Sequence, residues 1–420
     1  MKVLAQYTKE ELAALKAETQ KRYDAFAAKG LAIDMSRGKP GSDQLDISNF
    51  VLDNLDTYKA ENGFDCRNYG LLPGIDECRR LFADILGMDM KNVIACGSSS
   101  LNLMFDYIAQ CYTHGAGGAP WGRLDKVKFI AVVPGYDRHF AIGSYFGFEY
   151  INVPILADGP DMDRIEELIK DEAVKGMFCV PKYSNPDGIT YSDAVVERLA
   201  KMKPAAKDFR VIWDNAYCVH DLTDDGDELK NIFDEAKKYG NEDIFVIFTS
   251  TSKITFPGAG VSCVAASDNN VAAIMKRLTL QTISYDKVNQ LRHARAFKDI
   301  AGIKEHMKLH AAILRPKFRC VLDILEKELG GLGVASWAKP NGGYFISLNV
   351  DGGSAKKAGE LCRQAGLVLT GVGATFPGGI DPDDRNIRIA PTFPPVAELA
   401  LAAELLCIAV KLVCLENAGA

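Results

Sequence analysis

A single lysine, Lys253, stands just beyond a stretch that the sequence predicts to be a buried strand. The apolar run 244–248 is typical of a strand that is covered on both faces of a parallel sheet. Open α/β sheets bind ligands at the carboxyl ends of their strands. A partly desolvated lysine there has a lowered pKa, and its amine can form a Schiff base with an aldehyde. Taken alone, the stretch favours an ordinary surface lysine after a strand.

An aspartate closes a second apolar run, in the segment VIWDNAY at 211–217. A carboxylate at the end of a buried strand is costly unless a cation or a hydrogen-bond donor meets it. Asp214 could therefore hold a cationic ring nitrogen, and Tyr217, three residues later, could reach the same ligand. The alternative is that Asp214 caps the segment that follows.

Two polar loops follow other predicted strands. After 176–180 the chain reads PKYSNPDG, where Pro186 restricts the backbone of Asn185 and could aim its amide at a ligand. A plain turn is the alternative there. After 93–96, the segment 97–100 (Gly-Ser-Ser-Ser) precedes a helical pattern, and backbone N–H groups at such a helix start attract phosphate. Serine N-capping would use the same residues.

A further predicted strand, 127–133, ends at the sequence PGYDRH. Tyr136 could stack on a flat ring there. His139 could support a buried carboxylate from behind, although an ordinary polar histidine is the alternative. Together, five strand ends deliver a phosphate-binding segment, an aromatic ring, an amide, a carboxylate and a lysine to one edge of a sheet. These groups match one ligand, the flat, cationic, phosphorylated aldehyde pyridoxal 5'-phosphate.

The elements that must position these residues follow an α/β pattern. We expect strands at 93–96, 127–133, 150–155, 176–180, 210–214, 244–248 and 261–266, with helices between most of them. This alternation predicts a mostly parallel, seven-stranded sheet covered by helices on both faces. We expect a large α/β domain over residues 50–300 and a smaller α+β domain from 1–49 and 301–420.

Outside the sheet, the sequence predicts an N-terminal helix over 8–29 that Thr8 and Glu11 begin as a capping box. Residues 34–41 should form an irregular loop, and a helix should start near 75 after the loop 67–74. Helical periodicity dominates 285–329, where Pro316 should break or kink the helix. Strands around 343–350, 366–371 and 386–392, a helix near 354–365 and an amphipathic closing helix complete the second domain.

Composition excludes several classes of protein. The chain has 420 residues, of which 48% are hydrophobic and 25% charged, as in ordinary globular proteins. A net charge of −6 argues against a nucleic-acid partner. The 11 cysteines are scattered without a C-x-x-C pair, which indicates reduced thiols in the cytoplasm. We expect no membrane span and no secretion signal, because the N-terminus is charge-dense and the most apolar stretch, 399–415, contains Glu404 and Lys411.

Four motifs, SNPDG, WDNAY, STSK and NIRIAPT, occur in the order found in fold-type-I pyridoxal-phosphate aminotransferases, which the chain resembles along nearly its whole length. It is most similar to a divergent subgroup of aspartate aminotransferases that is called MocR-like. The resemblance implies a homodimer that takes amino acids and 2-oxo acids. Its implied function is transfer of the amino group of L-aspartate to 2-oxoglutarate, giving oxaloacetate and L-glutamate.

The resemblance also implies roles for individual residues. Lys253 would bind the cofactor aldehyde, Asp214 the pyridine nitrogen with His139 behind it, and Tyr217 with Asn185 the ring hydroxyl. The remaining implied cofactor contacts are Tyr136, Ser98, Ser99, Ser100, Ser250 and, from the neighbouring subunit, Tyr69. The implied contacts to the substrate α-carboxylate are Arg388, whose neighbours Ile387 and Ile389 face the other way along the strand, and Gly38, with Asn185 beside them.

At two positions the sequence departs from the best-known members of the aminotransferase family that it resembles. No arginine stands eight residues after Lys253, where the segment reads ITFPGAGV. The best-known members also bind the distal carboxylate of the substrate with an arginine from the partner subunit, but the segment QTISYDKVNQLRH has no arginine at the corresponding position. Arg37, Arg138, Lys287 and Arg292 are the candidates to take that second role.

Other functions remain open on the sequence alone. An aminotransferase with another donor such as alanine, or a pyridoxal-phosphate lyase or decarboxylase, could use the same residues. A regulator that senses the cofactor would need a DNA-binding module. A dehydrogenase would need a strand followed by G-x-G-x-x-G, and Gly115–Gly118 has no strand before it. His306 and His310 have the i, i+4 spacing of a zinc site but lack the H-E-x-x-H glutamate, so we expect no metal and two solvated histidines.

Overall fold

The computed structural model describes residues 3–419. Within them the strands are β1 (Ile33–Met35), β2 (Val93–Ala95), β3 (Lys128–Val133), β4 (Glu149–Leu156), β5 (Gly159–Pro160), β6 (Val174–Cys179), β7 (Arg210–Asp214), β8 (Phe245–Ser250), β9 (Ser262–Ala266), β10 (Ala335–Trp337), β11 (Ile346–Val350), β12 (Leu367–Leu369) and β13 (Asn386–Ile389).

The α-helices of the same residues are α1 (Lys9–Ala27), α2 (Ser42–Asp46), α3 (Asp76–Leu86), α4 (Ser100–His114), α5 (Asp137–Tyr145), α6 (Met162–Leu168), α7 (Asp193–Lys201), α8 (Ile232–Lys237), α9 (Asp268–Gln281), α10 (Lys287–Phe297), α11 (Ile300–Leu329), α12 (Ala355–Gln364) and α13 (Val396–Asn417). Short 3-10 helices occur at Leu4–Gln6, Asn49–Val51, Met90–Asn92, Trp121–Arg123, Glu242–Ile244 and Pro377–Gly379.

The central sheet has the strand order β2-β9-β8-β7-β6-β3-β4-β5. Neighbours from β8 through β4 pair in parallel, whereas β9 is antiparallel to both of its neighbours. All seven predicted strands lie in this sheet, and the α/β fold is confirmed. The additional strand, β5, has only two residues, which is too short for a period-two pattern to reveal it.

Both faces of the central sheet are buried. In β7, Val211 and Trp213 face one apolar core while Ile212 faces the other. Because alternate residues of a strand point to opposite faces, apolar residues at every position require cover on both sides. Since β3, β6, β7 and β8 are parallel and β9 is antiparallel to both β8 and β2, the carboxyl ends of β2, β3, β6, β7 and β8 lie at one edge, where Asp214 ends β7 and Ser250 ends β8.

A third apolar core joins α1, α11, α12 and α13 to the sheet β10-β11-β13. The predicted capping box of α1 is confirmed, since Thr8 accepts from the backbone of Glu11 and Glu11 accepts from the backbone of Thr8. Tyr23 of α1 donates to the carbonyl of Leu361, which fixes the N-terminal helix against α12. The domain boundaries at 49/50 and 300/301 stay a prediction.

Pro316 is expected to break or kink the helix; it does not break it, because α11 continues through it from Ile300 to Leu329. Leu314 and Phe318 on either side are buried, so tertiary packing holds the turn from which proline removes one hydrogen bond. The interruption lies earlier, at Lys298, whose φ of 65° ends α10. The expected loop is also shorter than 34–41, because β1 pairs in parallel with β12 up to Met35.

The closing helix α13 was expected to be amphipathic, and this is wrong. Most residues from Leu399 to Leu415 are buried, because α1, α11 and α12 all pack against this helix. Its Lys411 is buried too, with Nζ 2.6 Å from Oε2 of Glu328. No helix within residues 3–419 combines the length and the apolar character needed to span a membrane.

Candidate active site

The carboxyl edge of the central sheet and the segment 36–39 enclose a cleft of about 560 Å³. The predicted site residues that line it are Arg37, Gly38, Ser99, Ser100, Tyr136, Asn185, Asp214, Tyr217, Ser250, Lys253 and Arg388. His139 and Ser98 lie directly behind this lining. Residues that are far apart in sequence, such as Arg37 and Arg388, thus meet at the edge where the strand ends converge.

Lys253 follows the last residue of β8 by three positions and lies partly buried in the cleft. Its Nζ is 5.0 Å from the centroid of the Tyr217 ring. Burial lowers the pKa of Lys253, the carboxylate of Asp214 acts in the opposite direction, and the charge of Arg388 lowers it further. The amine is therefore neutral, and nucleophilic, more often than that of a surface lysine.

Asp214 ends β7 and is 3% exposed. Its Oδ2 lies 3.0 Å from Nε2 of His139, whose ring stacks on Phe178 at 4.8 Å between centroids. Its Oδ1 is buried and has no hydrogen-bond partner among residues 3–419. A buried carboxylate oxygen without a partner is costly, so this position is suited to a ligand that brings a donor or a positive charge. The protonated nitrogen of pyridoxal phosphate fits that requirement.

Two tyrosines flank this carboxylate. Burial raises the pKa of Tyr217 well above its usual value, and the neighbouring Tyr136 and Asp214 add to the effect. Burial and the charge of Asp214 likewise raise the pKa of Tyr136 to about 12. Both phenols keep their protons at neutral pH and can donate hydrogen bonds to a ligand oxygen.

Hydroxyl groups gather where α4 begins, with Ser99 as its N-cap. The Ser250 hydroxyl donates to Oγ of Ser252 at 2.9 Å, and the Ser252 hydroxyl donates to the carbonyl of Ser98 at 3.3 Å. Hydroxyls beside the first backbone N–H groups of a helix form a favourable phosphate site. Ser252 is a member of this group that the sequence analysis did not single out.

Arg388 lies on β13, where its neighbours Ile387 and Ile389 are buried in the other direction. Nη1 donates to Oδ1 of Asp137 at 3.0 Å and to Oδ1 of Asn185 at 3.1 Å. Nη2 makes no hydrogen bond to any residue of the described chain. The guanidinium thus keeps donors that can bind a carboxylate in the cleft.

Gly38 is held closely by an aromatic ring. A Cβ at this position would lie 2.4 Å from Cζ of Phe345, so only glycine fits. The same ring carries the guanidinium of Arg388 at 4.9 Å from its centroid. Gly38 and Arg388 therefore lie on the same side of the cleft, against one side chain.

The four candidates for a distal carboxylate separate in the structure. Arg37 and Arg138 line the cleft and are exposed. Lys287 instead lies 5.9 Å from the Phe64 ring, and the backbone of Arg292 accepts a hydrogen bond from Asn54. Tyr69 is outside the cleft of its own chain, with 74% of its surface exposed.

The expectation that His306 and His310 are solvated is wrong. They are 5% and 1% exposed, because the helix face that carries them is covered by the loop after Lys253. Their Nε2 atoms each lie 2.9 Å from the carbonyl oxygen of Ile254. Within residues 3–419, no cluster of three or more histidine, cysteine or acidic side chains is arranged to hold a metal ion.

Three residues that contact Arg388 were missed from the sequence. They are Asp137, Thr370, which accepts from Nε of Arg388 at 3.2 Å, and Phe345. Asp137 directly follows Tyr136 in the segment after a predicted strand, and Thr370 lies near the end of another predicted strand. Their positions at strand ends are weak indications of a site. Phe345 looked like any core aromatic.

Comparisons with known proteins identify the family of the chain. A family model described as aspartate amino-transferase matches residues 7–419. The aspartate aminotransferase of Corynebacterium glutamicum is 45% identical over 418 residues, which cover 99% of this chain and 97% of that protein.

Solved structures of similar proteins support the same family assignment. The crystal structure of an aspartate transaminase from Corynebacterium glutamicum ATCC 13032 Kitasato has a TM-score of 0.96 at 45% identity, covering 99% of both chains. The α-aminoadipate aminotransferase of Thermus thermophilus, complexed with N-(5'-phosphopyridoxyl)-L-leucine, shares the fold, with a TM-score of 0.71 at 19% identity over 94% of this chain and 95% of that one. The chain belongs to the aspartate aminotransferase family, and it is an aminotransferase.

Proposed function

We propose that this protein transfers the amino group of L-aspartate to 2-oxoglutarate, with pyridoxal 5'-phosphate as its cofactor. The single observation that carries the proposal is the geometry around the cleft. A partly buried lysine of lowered pKa, a carboxylate with an open oxygen and an arginine with open donors all face one space. Placement in the MocR-like subgroup and location in the cytoplasm remain predictions from the sequence.

The cofactor would be held by groups of this chain at several points. Lys253 would bind it covalently, Asp214 would meet its ring nitrogen and Tyr136 its ring face. The phosphate would lie among Ser98, Ser99, Ser100 and Ser250, and Tyr217 would donate to the ring oxygen. When bound, pyridoxal phosphate supplies an aldehyde that condenses with amines and a ring that accepts electrons.

The protein's own groups would then act on the substrate. Arg388 would bind the α-carboxylate through the N–H groups of Nη2, and the backbone at Gly38 would limit where that carboxylate lies. The amine of Lys253, released when the substrate amine takes its place, would accept the proton that leaves Cα of the amino donor and, in the return half of the reaction, supply a proton to Cα of the 2-oxo acid as it becomes an amino acid. His139 would keep Asp214 oriented with its charge toward the cleft.

The preference for a dicarboxylic substrate has support from two sources. The relative at 45% identity is named aspartate aminotransferase. Arg37 and Arg138 stand exposed on the cleft lining, where either could meet a second carboxylate. We propose aspartate or glutamate as donors for these reasons.

A homodimer is the proposed assembly. Tyr69, Leu280 and Ile283 are 74%, 89% and 64% exposed in the single chain. Contact with a second copy of the chain would remove these apolar side chains from water. Tyr69 would reach the phosphate site of the neighbouring subunit.

The experiment that tests the function is a panel of amino donors and 2-oxo acids with the purified, cofactor-loaded protein. We expect the highest kcat/KM for aspartate or glutamate with oxaloacetate or 2-oxoglutarate as acceptor. Replacing Arg37 or Arg138 with alanine should lower the preference for aspartate over alanine. The dicarboxylate proposal would be contradicted if the enzyme used alanine as well as aspartate and if replacing Arg37 or Arg138 left the ratio of the two kcat/KM values unchanged.

A further inference from the structure

Three buried polar side chains contact one another beside the backbone of Lys253, and the reaction outlined above does not use them. Gln44 comes from α2, His310 from α11 and Tyr344 from the segment before β11. They are 0%, 1% and 1% exposed, respectively. Since buried polar groups are retained only when they are hydrogen-bonded, each contact of this group can be assigned a direction.

The orientation of Gln44 follows from its neighbour Gly41. The backbone N–H of Gly41 lies 3.2 Å from Oε1 of Gln44, and a backbone N–H can only donate. The amide nitrogen of Gln44 therefore faces the other way, 3.0 Å from Oη of Tyr344 and 3.1 Å from Nδ1 of His310. Both N–H bonds of this amide are used.

Tyr344 and His310, which accept these two hydrogen bonds, in turn donate to backbone carbonyls. Tyr344 accepts from Gln44, so its own hydroxyl proton is available to donate to the carbonyl of Lys253 at 3.4 Å. His310 accepts at Nδ1, so its neutral ring carries the proton on Nε2, which donates to the carbonyl of Ile254 at 2.9 Å. Burial lowers the pKa of His310 to about 4 and keeps the ring neutral.

On the opposite side of Gln44, the hydrogen bond from Gly41 leads toward the substrate side of the cleft. Gly41 closes the loop that contains Gly38. Phe345, next to Tyr344, packs against both Gly38 and the guanidinium of Arg388. Movement of the loop on binding a carboxylate would therefore be transmitted to Gln44 and to the segment 344–345.

We propose that Gln44 is a positioning residue, which couples the carboxylate-binding side of the cleft to the backbone of Lys253 through Tyr344 and His310. We call Gly41, Gln44, Tyr344 and His310 the Gln44 relay. The inference rests on the proposed function, because it takes Gly38 and Arg388 as the substrate-carboxylate contacts. Its consequence is that Lys253 is held in its reactive position by a residue that touches neither substrate nor cofactor.

Gln44→Glu and Tyr344→Phe test the relay in the cofactor-loaded enzyme. A carboxylate has no N–H to donate, and phenylalanine lacks the hydroxyl, so each variant interrupts the path to Lys253 while keeping side-chain size. We expect kcat to fall about 10-fold in each. The double variant should lose little more than either single one, because both act on the same path.

A spectroscopic readout separates positioning from general damage. The pH at which the absorbance of the bound cofactor changes reports the environment of Lys253, and it should shift in the same direction in both variants, by about half a unit. Asn241→Asp is the matched control. Nδ2 of Asn241 donates to two carbonyls, those of Ala200 at 2.8 Å and Met202 at 2.7 Å, outside the cleft. The Asn241→Asp enzyme should keep the native kcat and the native pH midpoint of the cofactor absorbance.

The proposal is overturned if Tyr344→Phe and Gln44→Glu keep the native midpoint and kcat, or if the double variant loses the product of the two single losses. If Gln44→Glu does not fold, Tyr344→Phe decides by the same criteria. If the native enzyme does not transaminate aspartate, the proposed function fails, whereas the absorbance midpoint still tests the relay, since it requires only bound cofactor.

Discussion

Arg388 shows how one side chain can be prepared for its ligand before the ligand arrives. Asp137, Asn185 and Thr370 hold Nε and Nη1, so the guanidinium keeps its plane while Nη2 stays available. A substrate carboxylate would meet donors that have already lost their rotational freedom. This lowers the entropic cost of binding.

Arg388→Ala should lower kcat/KM for aspartate by roughly two to four orders of magnitude, because breaking a buried charged pair typically costs about 3–5 kcal/mol. Arg388→Lys should recover only part, since a lysine ammonium cannot keep the contacts that Nε and Nη1 make and bind the carboxylate as well. Steady-state kinetics and the cofactor absorbance, which should stay nearly native, measure the effect. Arg385→Ala, an exposed neighbour that pairs with Asp351, is the control. A loss below tenfold in Arg388→Ala would refute the substrate role.

Asp187 in the SNPDG motif provides a test that depends on pH. Its buried Oδ2 has no hydrogen-bond partner among residues 3–419, and burial raises the pKa of the carboxyl to about 6, despite an opposing hydrogen bond with Ser347. A raised folded-state pKa means that stability is highest below the unfolded value of 3.8 and is lost as pH rises through 6.

Asp187→Asn should therefore stabilise the protein at pH 8, by roughly 1–2 kcal/mol, and leave it nearly unchanged at pH 4. Thermal unfolding midpoints of the cofactor-free protein across this pH range measure the difference. Asp193→Asn, whose side chain is 70% exposed, should show no such trend. A pH-independent difference between wild type and Asp187→Asn would contradict this explanation.

Strand ends were the elements that the sequence predicted best. Runs such as 244–248 and 211–213 are apolar because both faces of the sheet are covered, and in the structure Lys253 and Asp214 lie where these runs end. The contacts between Arg388 and Asp137 or between Gln44 and Tyr344 could not be predicted. They join residues 251 and 300 positions apart, and local pattern contains no information on such pairings.

Helix packing was predicted less well for the same reason. The sequence contains Glu404 and Lys411 in α13 and so suggests a polar face, but Lys411 meets Glu328 of α11 inside the core. Arg22 of α1 reaches the same Glu328 oxygen at 3.0 Å. Three helices thus share one charged cluster, which only the assembled structure reveals.

Glu328→Gln should destabilise the protein at pH 7, by roughly 2–4 kcal/mol, since it leaves Lys411 buried without its charge partner. Burial raises the pKa of Glu328, but the hydrogen bonds from Arg22 and Lys411 outweigh this and lower it to about 2. Stability from this group is therefore complete above pH 4.5 and disappears as pH falls toward 2.

Chemical denaturation at pH 7 and at pH 3 tests this expectation. The difference between wild type and Glu328→Gln should shrink at the lower pH. Glu326→Gln, two residues away in the same helix with 60% exposure, controls for the change of residue type. Equal stability of Glu328→Gln and wild type at pH 7 would mean that the cluster contributes nothing.

The complete molecule is expected to have sites shared between two subunits. Lys253→Ala and Tyr69→Ala should each be nearly inactive. If Tyr69 serves the neighbouring subunit, mixed dimers contain one site with both native residues, so mixing and refolding equal amounts should restore about one quarter of native activity.

Mixing Lys253→Ala with Asp214→Ala is the control for this complementation. Both residues line the cleft of the same chain, so no mixed dimer has a complete site and activity should stay absent. Recovery in neither mixture would place Tyr69 outside the shared site.

The most direct test of amino transfer at Lys253 follows the nitrogen atom itself. Cofactor-loaded protein is mixed with ¹⁵N-labelled L-aspartate, freed of excess substrate and then given 2-oxoglutarate. We predict labelled glutamate in an amount equal to the concentration of active sites, and none with Lys253→Ala. Release of labelled ammonium without labelled glutamate, or labelled glutamate from the Lys253→Ala protein, would contradict the proposed reaction and the role of its lysine.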